Sequence, residues 1–433
     1  MRKNMMSLHG LKRFLPGILL SFFLFGSDLY GDQNNALSAG FAKVNITPKT
    51  PIPMSGYGSR KDPFKGVHDD IFVRVVVFSD GVHRAAIISV DVIGFSHDFW
   101  KKITERLDRE MKIEPHYIML AAVHNHGGPD TMVYNRTPDP KVVAYVRELE
   151  DTIVEAVKEA AGNLKPVCIG AGKGECLMNI NRRARHPDGS ITLGRNPYGP
   201  CDHEVGVVRI NDTNGNLLSI LINWPCHGTV MGPENYLITG DWPGSASRFV
   251  ESKMNNNIIA PVTAGASGDI NPIYGPHIDF EKVRWYSYGV DSIGMILGEE
   301  ALRVSREITT RPGGSISALQ RVVTLPKKID ATQLQQPDIG SGDDLNVRFT
   351  VLKIGDIVFA GVSGEVFNEI GVALKKQSPY TYTFMITHCN GSSGYLITDK
   401  AYEEGGYEAR STRVKSGAEK VILQNLLDMI YEL

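Results

Sequence analysis

Apolar, β-branched runs in this chain stop repeatedly at short clusters of polar and small residues, and helical periodicity fills the intervals between them. That alternation confines the fold to sheets covered by helices, because a strand buried on both faces needs helices against it. Residues 72–78, 85–92, 117–123, 167–170, 205–210, 217–224, 260–264, 315–325, 347–359 and 381–387 read as strands. Residues 96–111, 142–161, 244–251, 286–306, 365–376 and 415–431 read as helices. Ser96 is placed to cap the first helix, and Asp139 followed by Pro140 supplies a cap and a first-turn proline for the second, which Gly162 stops. The predicted fold is α/β (α+β), a layered sandwich of mixed β-sheets covered by helices. No Pro/Gly-rich linker, charge run or repeat divides residues 32–433, which read as a single domain.

Charge narrows the partners. With 46 Lys and Arg against 48 Asp and Glu in 433 residues, the net charge of −2 offers no cationic excess, so nucleic acid is not an expected partner. Five cysteines, an odd number, cannot all enter a disulfide framework. Arg2, Lys3, Lys12 and Arg13 precede an apolar stretch over 14–25, which is shorter than the roughly 20 residues a spanning helix needs. Residues 1–31 therefore read as a signal peptide, and the protein as exported, periplasmic or extracellular. An uncleaved interfacial anchor giving peripheral membrane contact is the alternative.

Four loops that follow apolar runs carry the residues able to do chemistry. The first, 123–129, holds His124 and His126 beside two glycines; the second, 223–229, holds His227 at another strand end. The third, 361–365, ends on Glu365, and the fourth, 393–398, holds Tyr395. Neutral imidazoles and a carboxylate converging from separate strand ends suit zinc, which takes three or four such ligands and lowers the pKa of bound water to about 7. Taken singly, each histidine also reads as a structural strand-end residue, and Glu365 as a carboxylate complementing the dipole of the helix after it.

The chain order of these pieces resembles the neutral, non-lysosomal ceramidase family. HNHGGP at 124–129 is similar to that family's THTHSGP, NINRR at 179–183 to its NINRSP, and WPCHGTVM at 224–231 to its FAVHGTSM. TGDWPG at 239–244 is similar to SGDNKG, SGDINP at 267–272 to GDVSPN, SGE at 363–365 to PGEFT, and GYLIT with YEARST to HYITT with YEAAST. The resemblance implies a zinc-dependent amidohydrolase acting on linear amides, with one zinc per chain held by His124, His227, Glu365 and Tyr395. It further implies that His126, Arg182 and Tyr407 line the reacting group, His126 moving protons while Arg182 and Tyr407 donate to the carbonyl oxygen. Without the family, Arg182 reads equally as a surface ion pair and Tyr407 as a packed ring.

Two departures from the pattern shape the expectation. Where the family has an essential serine, this chain has Asn271, which cannot be a nucleophile but can donate a hydrogen bond to an oxyanion, favouring zinc-activated water. Ser267, in the same loop, is read as a backbone cap rather than a substitute. Asp241 and Asp269 are read either as carboxylates orienting a ligand histidine or as turn caps, Cys226 as a small buried thiol, and His68 as structural. The second departure is the family's additional immunoglobulin-like C-terminal domain, which residues 32–433 do not include. The expected function is hydrolysis of a ceramide-like lipid amide, in sphingolipid metabolism. The alternatives are a hydrolase of a non-lipid, small-molecule amide or ester, and a catalytically silent binding protein.

Overall fold

The computed structural model describes residues 36–132, 139–275, 284–328 and 344–433. The expected signal segment, 1–31, lies outside them. The mixed, helix-covered sheets are present. The largest sheet has nine strands, running in space Val262–Ala264, Leu217–Trp224, Glu204–Asp212, Lys165–Glu175, Ser38–Asn45, Phe72–Ser79, Arg84–Val90 and Ile118–Ala122, with Arg311–Pro312 beside Lys165–Glu175. The strands at its two ends run parallel to their neighbours, and the pairings between are antiparallel. A second sheet orders Ile316–Pro326, Asp344–Ile354, Ile357–Val362 and Tyr382–Ile386.

Helices form where periodicity and caps agree. His97–Met111 starts at Ser96, whose hydroxyl accepts from Phe99 N–H, and buries Phe99, Ile103 and Leu107. Pro140–Gly162 starts at Asp139, whose side chain accepts from Lys141 N–H, and lays Val146, Leu149 and Ile153 in the same core. Each such side chain, removed from water, contributes about 1.5–3 kcal/mol. Asp241–Lys253 and Arg284–Glu307 serve a second core around Trp224 and Trp242. Asn368–Gln377 and Ala418–Glu432 cover the smaller sheet. One charged group is sunk in the large sheet: Arg74 is fully buried, with Nε 2.9 Å from Glu251 and a terminal nitrogen 3.1 Å from Asp91.

Three local readings change. The run 347–359 is a hairpin rather than one strand, because Gly355, at φ +59°, turns the chain between Asp344–Ile354 and Ile357–Val362. The helix expected from residue 365 begins at Asn368, and Glu365 belongs to a two-residue strand, Glu365–Val366, paired parallel with Tyr395–Leu396. Glu365 therefore does not open the helix or complement its dipole. Gly364 permits that pairing, since a Cβ there would lie 2.7 Å from Leu396 Cδ1. The NINRR run, unassigned from pattern, is the strand Asn179–Arg185, flanked by Ile191–Asn196 and Ile270–Pro272.

The two sheets meet at the edge strand Ile118–Ala122. Ala121 pairs antiparallel with Cys389, just past Tyr382–Ile386. Beyond it, Asn125 bridges Gly228, and His126 N–H donates to the Gly228 carbonyl at 2.9 Å. This stitching brings the first, second and third of the polar loops to one place.

Candidate metal centre

His124 leaves its strand in the left-handed region, at φ +57°. Its Nδ1–H donates to the Ile93 carbonyl at 2.9 Å, so the proton is on Nδ1 and Nε2 keeps a lone pair. His227 is built the same way: Nδ1–H donates to the Ser267 carbonyl at 2.7 Å, leaving Nε2 without a proton. Metal-ligating histidines are oriented in this manner, the second ring nitrogen being fixed by a carbonyl or carboxylate. Glu365 Oε2 stands 3.5 Å from His124 Nε2 and 3.4 Å from His227 Nε2. That oxygen is enclosed and has no hydrogen-bond partner among the described residues. Two unprotonated imidazole nitrogens and an ionised carboxylate oxygen facing one another are all acceptors, and a divalent cation among them relieves that repulsion. The donor set fits zinc.

The remaining predicted residues surround these three. His126 Nε2 lies 3.2 Å from His124 Nε2, and its ring is edge-on to that of His124. Arg182 is buried; one terminal nitrogen donates to His227 Nε2 at 3.1 Å and also lies 3.4 Å from Asn271 Oδ1, and the other donates to the Tyr395 hydroxyl at 3.0 Å. It is therefore not a surface ion pair. Tyr395 is buried, while Tyr407 is 39% exposed, its ring 5.8 Å from that of Tyr395 and 6.0 Å from the Arg182 guanidinium. All eight residues named from sequence thus lie in one constellation.

Burial sets the protonation of the site. It pushes the His227 imidazole down to about 4, with the Arg182 charge adding to the effect, and holds His126 well below the usual range, with His124 and His227 adding. Both rings are neutral at neutral pH. Burial also raises the Tyr395 phenol well above its ordinary value, although Arg182 opposes the shift.

The structure resolves the secondary readings. Of the two readings of Asp241 and Asp269, the capping one fits, and neither touches a ligand histidine. Asp241 accepts from the backbone of Val230, Met231 and Trp242, and Asp269 from Asn368 N–H and Asn181. The Ser267 hydroxyl has no partner among the described residues and so is not the backbone cap expected; that residue acts through its carbonyl on His227. Cys226 is the buried thiol expected, and His68 Nδ1 pairs with Asp69. Two residues were missed. Glu408 binds Arg182 Nε at 2.7 Å. His388 stacks on His124 with ring centres 3.7 Å apart, and its position at the end of the last predicted strand was the signal that could have found it.

Residues 38–281 match the model of a protein family described as neutral/alkaline non-lysosomal ceramidase, N-terminal. Among curated relatives, the neutral ceramidase of Drosophila melanogaster is 25% identical over 272 residues, covering 59% of this chain and 39% of that protein. The neutral ceramidase of Pseudomonas aeruginosa is 25% identical over 249 residues, covering 54% and 36%. The matches thus span well under half the length of these relatives. The crystal structure of the Pseudomonas aeruginosa neutral ceramidase superposes with a TM-score of 0.76 at 19% identity, over 92% of this chain and 74% of that one. A ceramidase complexed with C2 gives 0.76 at 18% identity, over 92% and 75%. With more than half of its residues matched, the chain belongs to the neutral/alkaline non-lysosomal ceramidase family.

Proposed function

We propose that this protein is an exported zinc-dependent amidohydrolase that cleaves the amide bond of a ceramide-like lipid. The observation that carries the reading is the convergence of His124 Nε2, His227 Nε2 and the unpartnered Glu365 Oε2, each histidine locked by a backbone carbonyl on its other nitrogen. Tyr395 completes the proposed ligand set. A bound zinc supplies Lewis-acid polarisation and lowers the pKa of water beside it to about 7.

The chain's own residues would do the rest. His126, neutral and next to the ligand cluster, accepts a proton from the attacking water and returns it to the leaving nitrogen. Arg182 and Tyr407 donate to the carbonyl oxygen as charge develops on it. Asn271 turns Oδ1 toward Arg182, which leaves its amide N–H groups to donate to the same oxyanion and supplies no nucleophile. No helix among the described residues is long and apolar enough to cross a membrane.

Asn271, in place of the serine of the family motif, favours a second reading on the same scaffold: a zinc hydrolase of a non-lipid amide or ester. Metal analysis of the purified protein, paired with fluorogenic ceramide cleavage before and after chelation and a His124→Ala control, separates them. Stoichiometric zinc with chelator-sensitive cleavage is the expected result. Zinc without cleavage would transfer the assignment to the second reading, and absence of zinc would overturn both.

A further inference from the structure

We infer that Arg60 is a positioning residue for His126, pinning residues 54–60 against the ring to which the function proposed above, on which this role rests, gives the proton transfer.

His126 differs from the histidines beside it in having no anchor of its own. The rings of His124 and His227 are each fixed by a backbone carbonyl on Nδ1. Nδ1 of His126 is enclosed and has no hydrogen-bond partner among the described residues. Its ring is placed from outside instead. Met54 bridges Pro129, and Ser55 N–H donates to the Gly128 carbonyl at 3.2 Å, which lays the segment along the HNHGGP loop. Gly56 then lies flush with the ring, since a Cβ there would stand 2.4 Å from Nδ1. Tyr57 packs edge-on against it, with ring centres 5.0 Å apart. Such contacts fix a ring only as firmly as the segment bearing them is held.

Arg60 holds that segment. The side chain is buried, and each guanidinium nitrogen donates to a main-chain carbonyl. Nη2 reaches His126 at 2.7 Å and Gly232 at 3.3 Å, Nη1 reaches Ser55 at 3.3 Å, and Nε reaches Pro233 at 3.4 Å. One planar fork therefore ties three stretches of chain, which a single ammonium cannot do. Its shortest bond is to His126, whose N–H is already held by the Gly228 carbonyl at 2.9 Å, so the backbone of that residue is fixed on both sides. The guanidinium also lies over the Tyr57 ring, 4.6 Å from its centre. Burial opposes the charge of Arg60, a cost that an apolar side chain filling the same space would avoid.

A staple serving only the fold would act on stability without singling out His126, and that contrast defines the experiment. Arg60→Met, His126→Ala and the double variant of the full-length, zinc-loaded protein are compared in fluorogenic ceramide cleavage, and their histidine rings are followed by nitrogen NMR. Arg60→Met should lower kcat about 10- to 100-fold with KM and zinc content unchanged. In the His126→Ala background the same replacement should cost less than about threefold, because the residue through which it acts is gone. Arg60→Lys should recover part of the loss, since an ammonium can still donate to the His126 carbonyl. The ring resonance that disappears in His126→Ala should move in Arg60→Met, while those of His124 and His227 stay. An equal loss in both backgrounds, or a His126 resonance that Arg60→Met leaves in place, would overturn the inference. A wild-type protein that cleaves no ceramide would instead overturn the substrate proposed above, and the His126 resonance would then decide the role of Arg60 alone. Should the methionine variant fail to fold, Arg60→Gln is judged by the same readouts.

Discussion

Arg182 and Glu408 are locked together in the interior: the guanidinium Nε donates to Oε1 at 2.7 Å, and both side chains are buried. Held from that side, Arg182 can only present its terminal nitrogens to His227, Asn271 and Tyr395. Glu408 also holds Arg183, at 2.9 Å, so one carboxylate orders two buried cations.

Replacing Glu408 by Gln leaves both guanidinium groups facing a neutral amide. Stability should fall by about 3–5 kcal/mol in urea unfolding, because an uncompensated buried charge costs more than the pair contributes. Arg182→Lys tests the functional side. It keeps the charge and loses the fork, so turnover should drop about 10²- to 10³-fold with zinc content unchanged. Undiminished turnover would remove Arg182 from the reaction.

Tyr395 makes a prediction about protons. Burial raises its phenol well above the ordinary value of 10, so at neutral pH it is protonated before a cation arrives. His227 arrives without a proton, its imidazole being pushed down to about 4. If Tyr395 binds as phenolate, zinc uptake at pH 7 should release about one proton, read by calorimetry in buffers of different ionisation enthalpy. Tyr395→Phe should abolish that release. Equal release from wild type and variant would exclude the tyrosine.

Gly56 sits at φ +100°, and a Cβ there would lie 2.4 Å from His126 Nδ1. Gly56→Ala should therefore displace the His126 ring and lower kcat, with a stability cost of about 1–2 kcal/mol from the backbone alone. Zinc content should not change. An alanine variant with full kcat would show that the position of His126 is not critical.

The buried cluster of Arg74 with Glu251 and Asp91 bears on acid stability. Burial raises the Glu251 carboxyl, but Arg74 and Lys43 outweigh it and hold the group below its ordinary 4.5. A carboxylate depressed on folding contributes stability that is present above 4.5 and is lost as pH falls through its folded value. Glu251→Gln should accordingly destabilise strongly at pH 7 and progressively less below pH 4.5, in denaturant melts at both. An equal penalty at both pH values would show that the ion pair contributes nothing specific.

Much of the scaffold was legible because its signals are local. Ser96 and Asp139 cap the helices they precede, and the valine-rich run became Phe72–Ser79, buried almost throughout. Boundaries failed where a long-range pairing overrode pattern. Glu365 looked like a helix start, yet its pairing with Tyr395 draws it into a strand, and nothing within a few residues of either announces the other.

By itself the sequence determined the alternation of buried strands and helices, and the placing of His124 and His227 at strand ends, because burial and periodicity are written over short windows. Only the tertiary structure decided which ring nitrogens face inward, since the carbonyls of Ile93 and Ser267 that fix them stand 31 and 40 residues away. The same holds for Glu408, 226 residues from the arginine it orders. It holds too for His388, which meets His124 because the Cys389–Ala121 bridge joins two sheets. Such partners are chosen by strand pairing and packing across the whole chain, and a local pattern does not contain them.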